Sequence, residues 1–218
     1  MSEEKALNEL VLSLVELFRK FGIKYVLIGG LAVKKYDDYR TTYDVDFLIF
    51  PVRRKVDEFT VALLNWARER GLAISTKING ERLPVSQVTR ELVEKVIGEG
   101  GRTLEFWREG RKFVDLIFCP SYVSFRTGFY RSVNGINVAT PEYLIVNKLW
   151  LVEKGRAEER DFRDVIRLLS LPDLNKSRLR RYAEKLGVLR LLKEYEHKVQ
   201  QAAKKIGDIM NWPPSWRP

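Results

Sequence analysis

From Tyr25 to Phe50 the chain reads YVLIGGLAVKKYDDYRTTYDVDFLIF, two short apolar runs of which the first ends in Gly29-Gly30 and the second is headed by Asp44 and Asp46. Lys24 to Ile28 predicts a strand, the diglycine a tight turn into a short helix through Tyr36, and Val45 to Phe50 a second strand ended by Pro51. Side chains alternate along a strand, so Asp44 and Asp46 share one face while Val45, Phe47 and Ile49 share the other. One face must enter a core while the other carries two carboxylates. A diglycine lets backbone approach phosphate closely, and helix N-terminal amides can hold phosphate oxygens. Beside paired carboxylates, that is what magnesium-dependent nucleotide chemistry needs.

The rest of the chain predicts a mixed arrangement. Ala6, Leu7, Leu10, Val11, Leu14, Val15 and Phe18 recur at helical spacing, giving a first helix over Glu3–Lys20. Val56, Phe59, Ala62, Leu63, Trp66 and Ala67 predict a crossover helix closed by Gly71. Leu72–Ser75 reads as a strand and Ser86–Val96 as a helix before the break at Gly98, Gly100 and Gly101. Thr103–Trp107 and Lys112–Phe118 read as an antiparallel hairpin. Asn134-Gly135 is a turn, after which Ile136–Ala139 leads to Thr140 as a helix N-cap with Pro141 in the first turn. Residues 141–207 then show helical segments alone, broken near Gly155, Leu171-Pro172 and Gly187. The expected class is α/β (α+β): a small mixed β-sheet core flanked by helices over 1–139, then a helical C-terminal region over 140–218. In the tail, WPPSWRP, the two Trp residues are expected to pack on the body or on a partner.

Composition narrows the chemistry. The 218 residues contain one cysteine, Cys119, and one histidine, His197, which leaves no intramolecular disulfide and no cysteine or histidine cluster for zinc. A catalytic metal would sit on oxygen ligands, hence Mg²⁺ or Mn²⁺. The start, MSEEKALNEL, lacks a secretory pattern, and no apolar run approaches the roughly 20 residues of a membrane helix, so a cytoplasmic location without membrane contact is expected. A net charge of +10 fits either a polyanionic partner such as nucleotide or RNA, or merely a charge-rich surface.

Each acidic candidate has two readings. Asp44 and Asp46 can converge on a divalent ion or stand solvated at a strand start. Asp115, inside Phe113-Val114-Asp115-Leu116-Ile117-Phe118, is costly in an apolar strand without a partner, which can be a metal ion or a Lys or Arg.

Gly29-Gly30, then Asp44-x-Asp46, then an isolated strand aspartate at 115 resembles the DNA polymerase beta nucleotidyltransferase superfamily. Within it the chain is most similar to prokaryotic members linked to abortive infection and toxin-antitoxin systems. The second part of that resemblance is a Pro-led helix and an acidic helix, carried by Pro141, Glu142, Lys148, Arg160, Asp161 and Asp164. Many relatives have Ser where this chain has Gly30, so a hydroxyl contact to phosphate is expected to be missing. The resemblance makes 1–139 a nucleotidyltransferase core. It implies Asp44, Asp46 and Asp115 as metal ligands and catalytic groups, with Gly29, Gly30, Arg40, Thr42 and Lys148 around an NTP, for which ATP or CTP is expected. Arg40 is equally a loop brace. Asp161 and Asp164 are expected to lie on the helix surface or to brace it, His197 to be solvated, and Trp66, Trp107 and Trp150 to be packing groups.

The implied activity is Mg²⁺-dependent transfer of NMP to a hydroxyl of RNA, a tRNA 3′ end among the candidates, or of a partner protein. A small-molecule antibiotic is a third acceptor. The reading from a different class is a catalytically silent domain that binds nucleotide, RNA or a partner. The acceptor, the base preference and the oligomeric state have no legible residue pattern.

Overall fold

The computed structural model describes residues 3–50, 54–78, 81–120 and 128–210. The chain divides into two compact units, Met1–Ala139 and Thr140–Pro218.

The first unit runs α1 (Glu3–Lys20), β1 (Tyr25–Ile28), α2 (Gly29–Lys34), β2 (Val45–Ile49), α3 (Val56–Glu69), β3 (Ala73–Ile78), β4 (Glu81–Arg82), α4 (Arg90–Glu99), β5 (Thr103–Arg108), β6 (Arg111–Phe118), β7 (Tyr130–Val133) and β8 (Ile136–Ala139). Its strands form a mixed sheet in the order β4-β3-β5-β6-β2-β1-β8-β7. β2 pairs antiparallel with β1 but parallel with β6, and β5 and β6 form the expected hairpin.

The alternation of β2 is obeyed. Val45, Phe47 and Ile49 are fully buried, whereas Asp46 and Leu48 are half-buried. Helix α1 supplies the opposing apolar face through Leu7, Val11, Leu14, Val15 and Phe18. The Phe18 ring lies 5.3 Å from that of Phe47, edge on, 5.2 Å from Tyr25 and 6.3 Å from Phe59. Edge-to-face contact adds to the burial of these rings, and together they fix which side of β2 faces inward. Trp66 belongs to the same interior: its indole N–H donates to Ser13 Oγ at 3.1 Å and its ring meets Phe106 edge on.

The second unit contains α5 (Pro141–Glu153), α6 (Glu159–Leu169), α7 (Lys176–Lys185) and α8 (Leu189–Met210), with α5 packed on the other three. Thr140 caps α5, its hydroxyl accepting from the Tyr143 N–H at 3.4 Å. His197 lies in α8, exposed, with a ring nitrogen 2.7 Å from Gln201 Nε2.

Three local expectations differ from what is observed. A single 3₁₀ turn, Val85–Gln87, precedes α4, which starts only at Arg90 because Thr89 is extended and its hydroxyl accepts from the Leu92 N–H. That cap resets the backbone, so Ser86–Val96 is not one helix. The strand expected to end at Ser75 continues to Ile78, since pairing with β5 and β4 carries it on. β7 went unpredicted because its middle residues, Arg131 and Ser132, are exposed and show no apolar alternation. Pro51 and the C-terminal WPPSWRP lie outside the described residues.

Cys119 is 6% exposed, and burial pushes its thiol from the usual 9.0 up to about 11. The folded thiol is therefore neutral and shielded, and reacts when the first unit opens. Phe47→Ala should cost about 3–5 kcal/mol of stability by opening a cavity under the sheet. The expected result is an earlier midpoint when Cys119 modification is followed against urea; an unchanged midpoint would show that the aromatic cluster does not hold the sheet.

Candidate active site

Residues far apart in sequence meet because β2 and β6 run side by side. Asp46 pairs directly with Asp115, and Asp115 pairs across the hairpin with Glu105. Directly paired residues project from the same face, so three carboxylates form a row on three adjacent strands. Asp44 sits just before β2. Its Oδ1 accepts from the Thr42 hydroxyl at 3.2 Å.

A bulge completes the cluster. Phe106 pairs with Val114 but Trp107 pairs with Lys112, so Phe113 is an extra residue in β6. Plain alternation would put Lys112 and Asp115 on opposite faces; the extra residue brings both to one face. The Lys112 ammonium lies 2.6 Å from Asp115 Oδ2 and 3.9 Å from Asp44 Oδ2. Burial weakens its charged form, but Asp115, Asp46 and Asp44 together outweigh this and raise its pKa. For Asp115 burial dominates and raises the carboxyl above its ordinary range, with Lys112 pulling the other way and Glu105 and Asp44 adding to the rise. Asp115 Oδ1 is buried and has no hydrogen-bond partner among the described residues. Glu105 is buried too, and its Oε2 accepts from Arg82 Nε at 2.8 Å and from the Ser75 hydroxyl at 3.2 Å.

The diglycine turn abuts this row. Gly29 has φ +68°, and a Cβ placed there would lie 1.8 Å from Asp46 Oδ2. Only glycine permits that approach. A Cβ on Gly30 would lie 2.7 Å from the Thr42 hydroxyl and 2.9 Å from one Arg40 guanidinium nitrogen. The space beside Gly30 is thus already filled by a hydroxyl and a cation from the loop before Asp44. Helix α2 has only six residues, so its dipole is slight and the diglycine's contribution is chiefly steric.

In the second unit Lys148 is buried, its ammonium 2.7 Å from Asp161 Oδ1 and 2.6 Å from Asp164 Oδ2. Asp164 is fully buried and Asp161 nearly so, which removes the helix-surface reading of both. Asp161 also accepts from the Glu158 N–H at 2.9 Å and so helps cap α6. Glu142 is buried on α5, accepting from the Asn175 N–H at 2.8 Å at the start of α7.

The sequence profile of the family described as nucleotidyl transferase AbiEii toxin, type IV toxin-antitoxin system, matches residues 12–211. The chain belongs to this family. It is a nucleotidyltransferase, and the family implies an NTP substrate. Solved structures similar to it include an antigenic nucleotidyltransferase-like protein from Paracoccidioides brasiliensis, at 19% identity and TM-score 0.47, covering 89% of this chain and 92% of that one. Another is a Megavirus polyadenylate synthase, at 17% identity and TM-score 0.46, covering 77% of this chain and 31% of that one. The antibiotic-resistance factor ANT(2'')-Ia is similar at 9% identity and TM-score 0.44, with 96% of each chain covered. At these values none bears on the mechanism. No curated protein sequence matches the chain, and among the described residues no helix is long and apolar enough to cross a membrane.

AbiEii-type transfer implies a divalent ion, and the residues can be tested for one. Among the described residues no three carboxylate, imidazole or thiolate groups lie at metal-enclosing spacing, and the Lys112 ammonium stands among the acids instead. The donor set nevertheless fits: hard oxygens only, with one buried carboxylate oxygen lacking a partner. Asp44, Asp46 and Asp115 would hold the ion. Lys112 and Glu105 were not singled out in the sequence. For Lys112 the only sequence signal is its position in RKFVD, beside a hairpin turn.

Two outcomes are expected here. Gly29→Ala should displace Asp46 and strain the turn, lowering the thermal midpoint and abolishing nucleotidyl transfer, whereas Gly30→Ala needs only movement of the Arg40 and Thr42 side chains and should be milder. Equal effects in a melting and transfer assay would contradict this geometry. Lys148→Met should destabilise the second unit by about 3–5 kcal/mol, because it removes the buried ammonium that bridges the Asp161 and Asp164 carboxylates. Urea unfolding followed by circular dichroism would show it, and a neutral result would mean that the network is not structural.

Proposed function

We propose that this AbiEii-type nucleotidyltransferase transfers NMP from an NTP to a hydroxyl of RNA, with Asp44, Asp46 and Asp115 as the reacting-site carboxylates. The observation that carries the reading is the direct pairing of Asp46 with Asp115 beside the Gly29 turn. The acceptor hydroxyl attacks the α-phosphorus, the bond to the bridging oxygen of the β-phosphate breaks, and pyrophosphate leaves. Asp115 takes the hydroxyl proton, a role that suits a carboxyl raised by burial. Asp44, Asp46 and Asp115 would hold Mg²⁺ or Mn²⁺, which would supply neutralisation of charge on the α-phosphate and leaving group. Gly29 and Gly30 admit the triphosphate to the backbone, with Arg40 and the Thr42 hydroxyl beside it. The Thr42 hydroxyl stands near where a Ser at position 30 would place its own, which offsets the missing contact. Lys148 as a phosphate ligand requires it to leave Asp161 and Asp164, and its contacts favour a bracing role. An antitoxin partner is what the family's toxin-antitoxin context suggests.

A cavity of about 660 Å³ in the first unit supports RNA over a protein acceptor. Arg70, Arg108, Arg111, Tyr43 and Phe113 line it, together with Thr42, although Glu9 and Glu109 do so too. Arg111 stacks 4.6 Å from the Tyr43 ring and Arg108 4.7 Å from Phe113. Guanidinium groups interleaved with aromatic rings suit phosphates and unstacked bases. A second reading, a silent binding domain, is favoured by one observation, the Lys112 ammonium among the acids.

Purified protein incubated with each labelled NTP, Mg²⁺ and total RNA should label RNA. Asp44→Ala with Asp46→Ala should reduce labelling by about a thousandfold or more while leaving RNA retention intact. Equal retention without labelling by either protein would favour the silent domain, and label on a co-purifying protein would move the acceptor to that partner.

A further inference from the structure

Lys112 is not among the residues the sequence resemblance assigns to the site, yet the β6 bulge places its ammonium among the acids. We infer that Lys112 is a resident counter-cation: it holds the carboxylates together in the ion-free protein and must withdraw before a divalent ion can bind. The inference rests on the proposed metal-binding role of Asp44, Asp46 and Asp115.

The geometry carries it in three steps. First, acidic groups on adjacent strands repel unless a positive charge lies between them, and the Lys112 ammonium lies within salt-bridge distance of both Asp44 and Asp115. Second, the device is built by the backbone. Without Phe113 as an extra residue, position 112 would face the other side of the sheet. Third, the contact is exchangeable. The Lys112 side chain is 28% exposed, whereas the Lys148 side chain, locked between Asp161 and Asp164, is 7% exposed. A flexible four-carbon stem reaching open solvent allows the ammonium to leave at little cost. The single charge of Lys112 meets the Asp44 and Asp115 carboxylates, so a divalent ion with twice that charge can displace it, and Lys112 sets how much ion is required.

The test is Lys112→Met, compared with Lys112→Arg and the wild type. Direct Mn²⁺ titration by calorimetry should show Lys112→Met binding about tenfold more tightly or better. Its ion-free thermal midpoint should fall, and Mn²⁺ should restore it by a larger shift than in the wild type. Lys112→Arg should keep the wild-type midpoint and affinity within a few-fold, which controls for loss of the aliphatic stem. In the wild type, amine acylation mapped by mass spectrometry should find Lys112 protected without Mn²⁺ and reactive with it. Unchanged Mn²⁺ affinity in a folded Lys112→Met, or Lys112 reactivity indifferent to Mn²⁺, would overturn the inference. If the methionine variant does not fold, the acylation result decides alone. NMP transfer is scored separately: tighter Mn²⁺ binding without transfer would sink the proposed function and leave Lys112 in its role, whereas transfer with unaltered affinity would do the reverse.

Discussion

The parallel pairing of β2 with β6 is the constraint on which the rest depends. These strands are separated in sequence by α3, α4 and the β3–β5 segment, yet their pairing sets Asp46 against Asp115. The same pairing sets Phe47 against Leu116 on the other face, and both are fully buried. Because the side-chain period is two, a one-residue slip would carry the acids into the core and the apolar residues out. The aromatic packing of Phe18 and Tyr25 on Phe47, with Phe59 behind Phe18, therefore does more than stabilise. It selects the one pairing in which the carboxylates gather, so core packing and site geometry are a single specification.

Gathering acids creates an electrostatic cost, and the two units meet it differently. In the second unit Lys148 is enclosed by Asp161 and Asp164, and Asp161 has a further backbone donor from Glu158. That arrangement is saturated, and losing any member leaves a buried charge. In the first unit Lys112 reaches Asp115 closely and Asp44 at longer range, and one Asp115 oxygen has no partner among the described residues. An unsatisfied buried acceptor costs stability, and such costs persist where a ligand later meets them. The saturated cluster is suited to bracing, the unsaturated one to exchange.

Much of this was legible in the sequence, where period and punctuation agreed. α1, β1, β2, the β5–β6 hairpin and the Thr140-Pro141 start of α5 each combined apolar periodicity with a clear stop or cap. The candidate acids were legible because charges in apolar strands are costly and need a reason. The choice between a metal ion and a basic partner for Asp115 was not, because it depends on which face Lys112 occupies. Alternation assigns Lys112 to the wrong face, and the bulge at Phe113 becomes visible only when β5 is paired. Glu105 escaped notice for a related reason: its neighbours in the row, Asp115 and Ser75, come from two other strands. For Asp161 and Asp164 the strong charge of α6 left surface and bracing placements both open, and only the packing of α5 shows that Lys148 draws them inward.

The diglycine shows how a departure from a family pattern can be local and compensated. A side chain at position 30 would meet Arg40 and Thr42, so the small residue there and the loop residues ten and twelve positions later occupy one volume. Thr42 then links that volume to Asp44 through its hydroxyl. A Ser at 30 and the present Arg40–Thr42 placement are thus alternative ways of filling the same space with a hydroxyl near the carboxylates. On the proposed role of these carboxylates, Gly30 marks a rearrangement of the polar groups beside them. What distinguishes an eroded site is loss of polar partners without replacement, and here the hydroxyl and the cation are both in place.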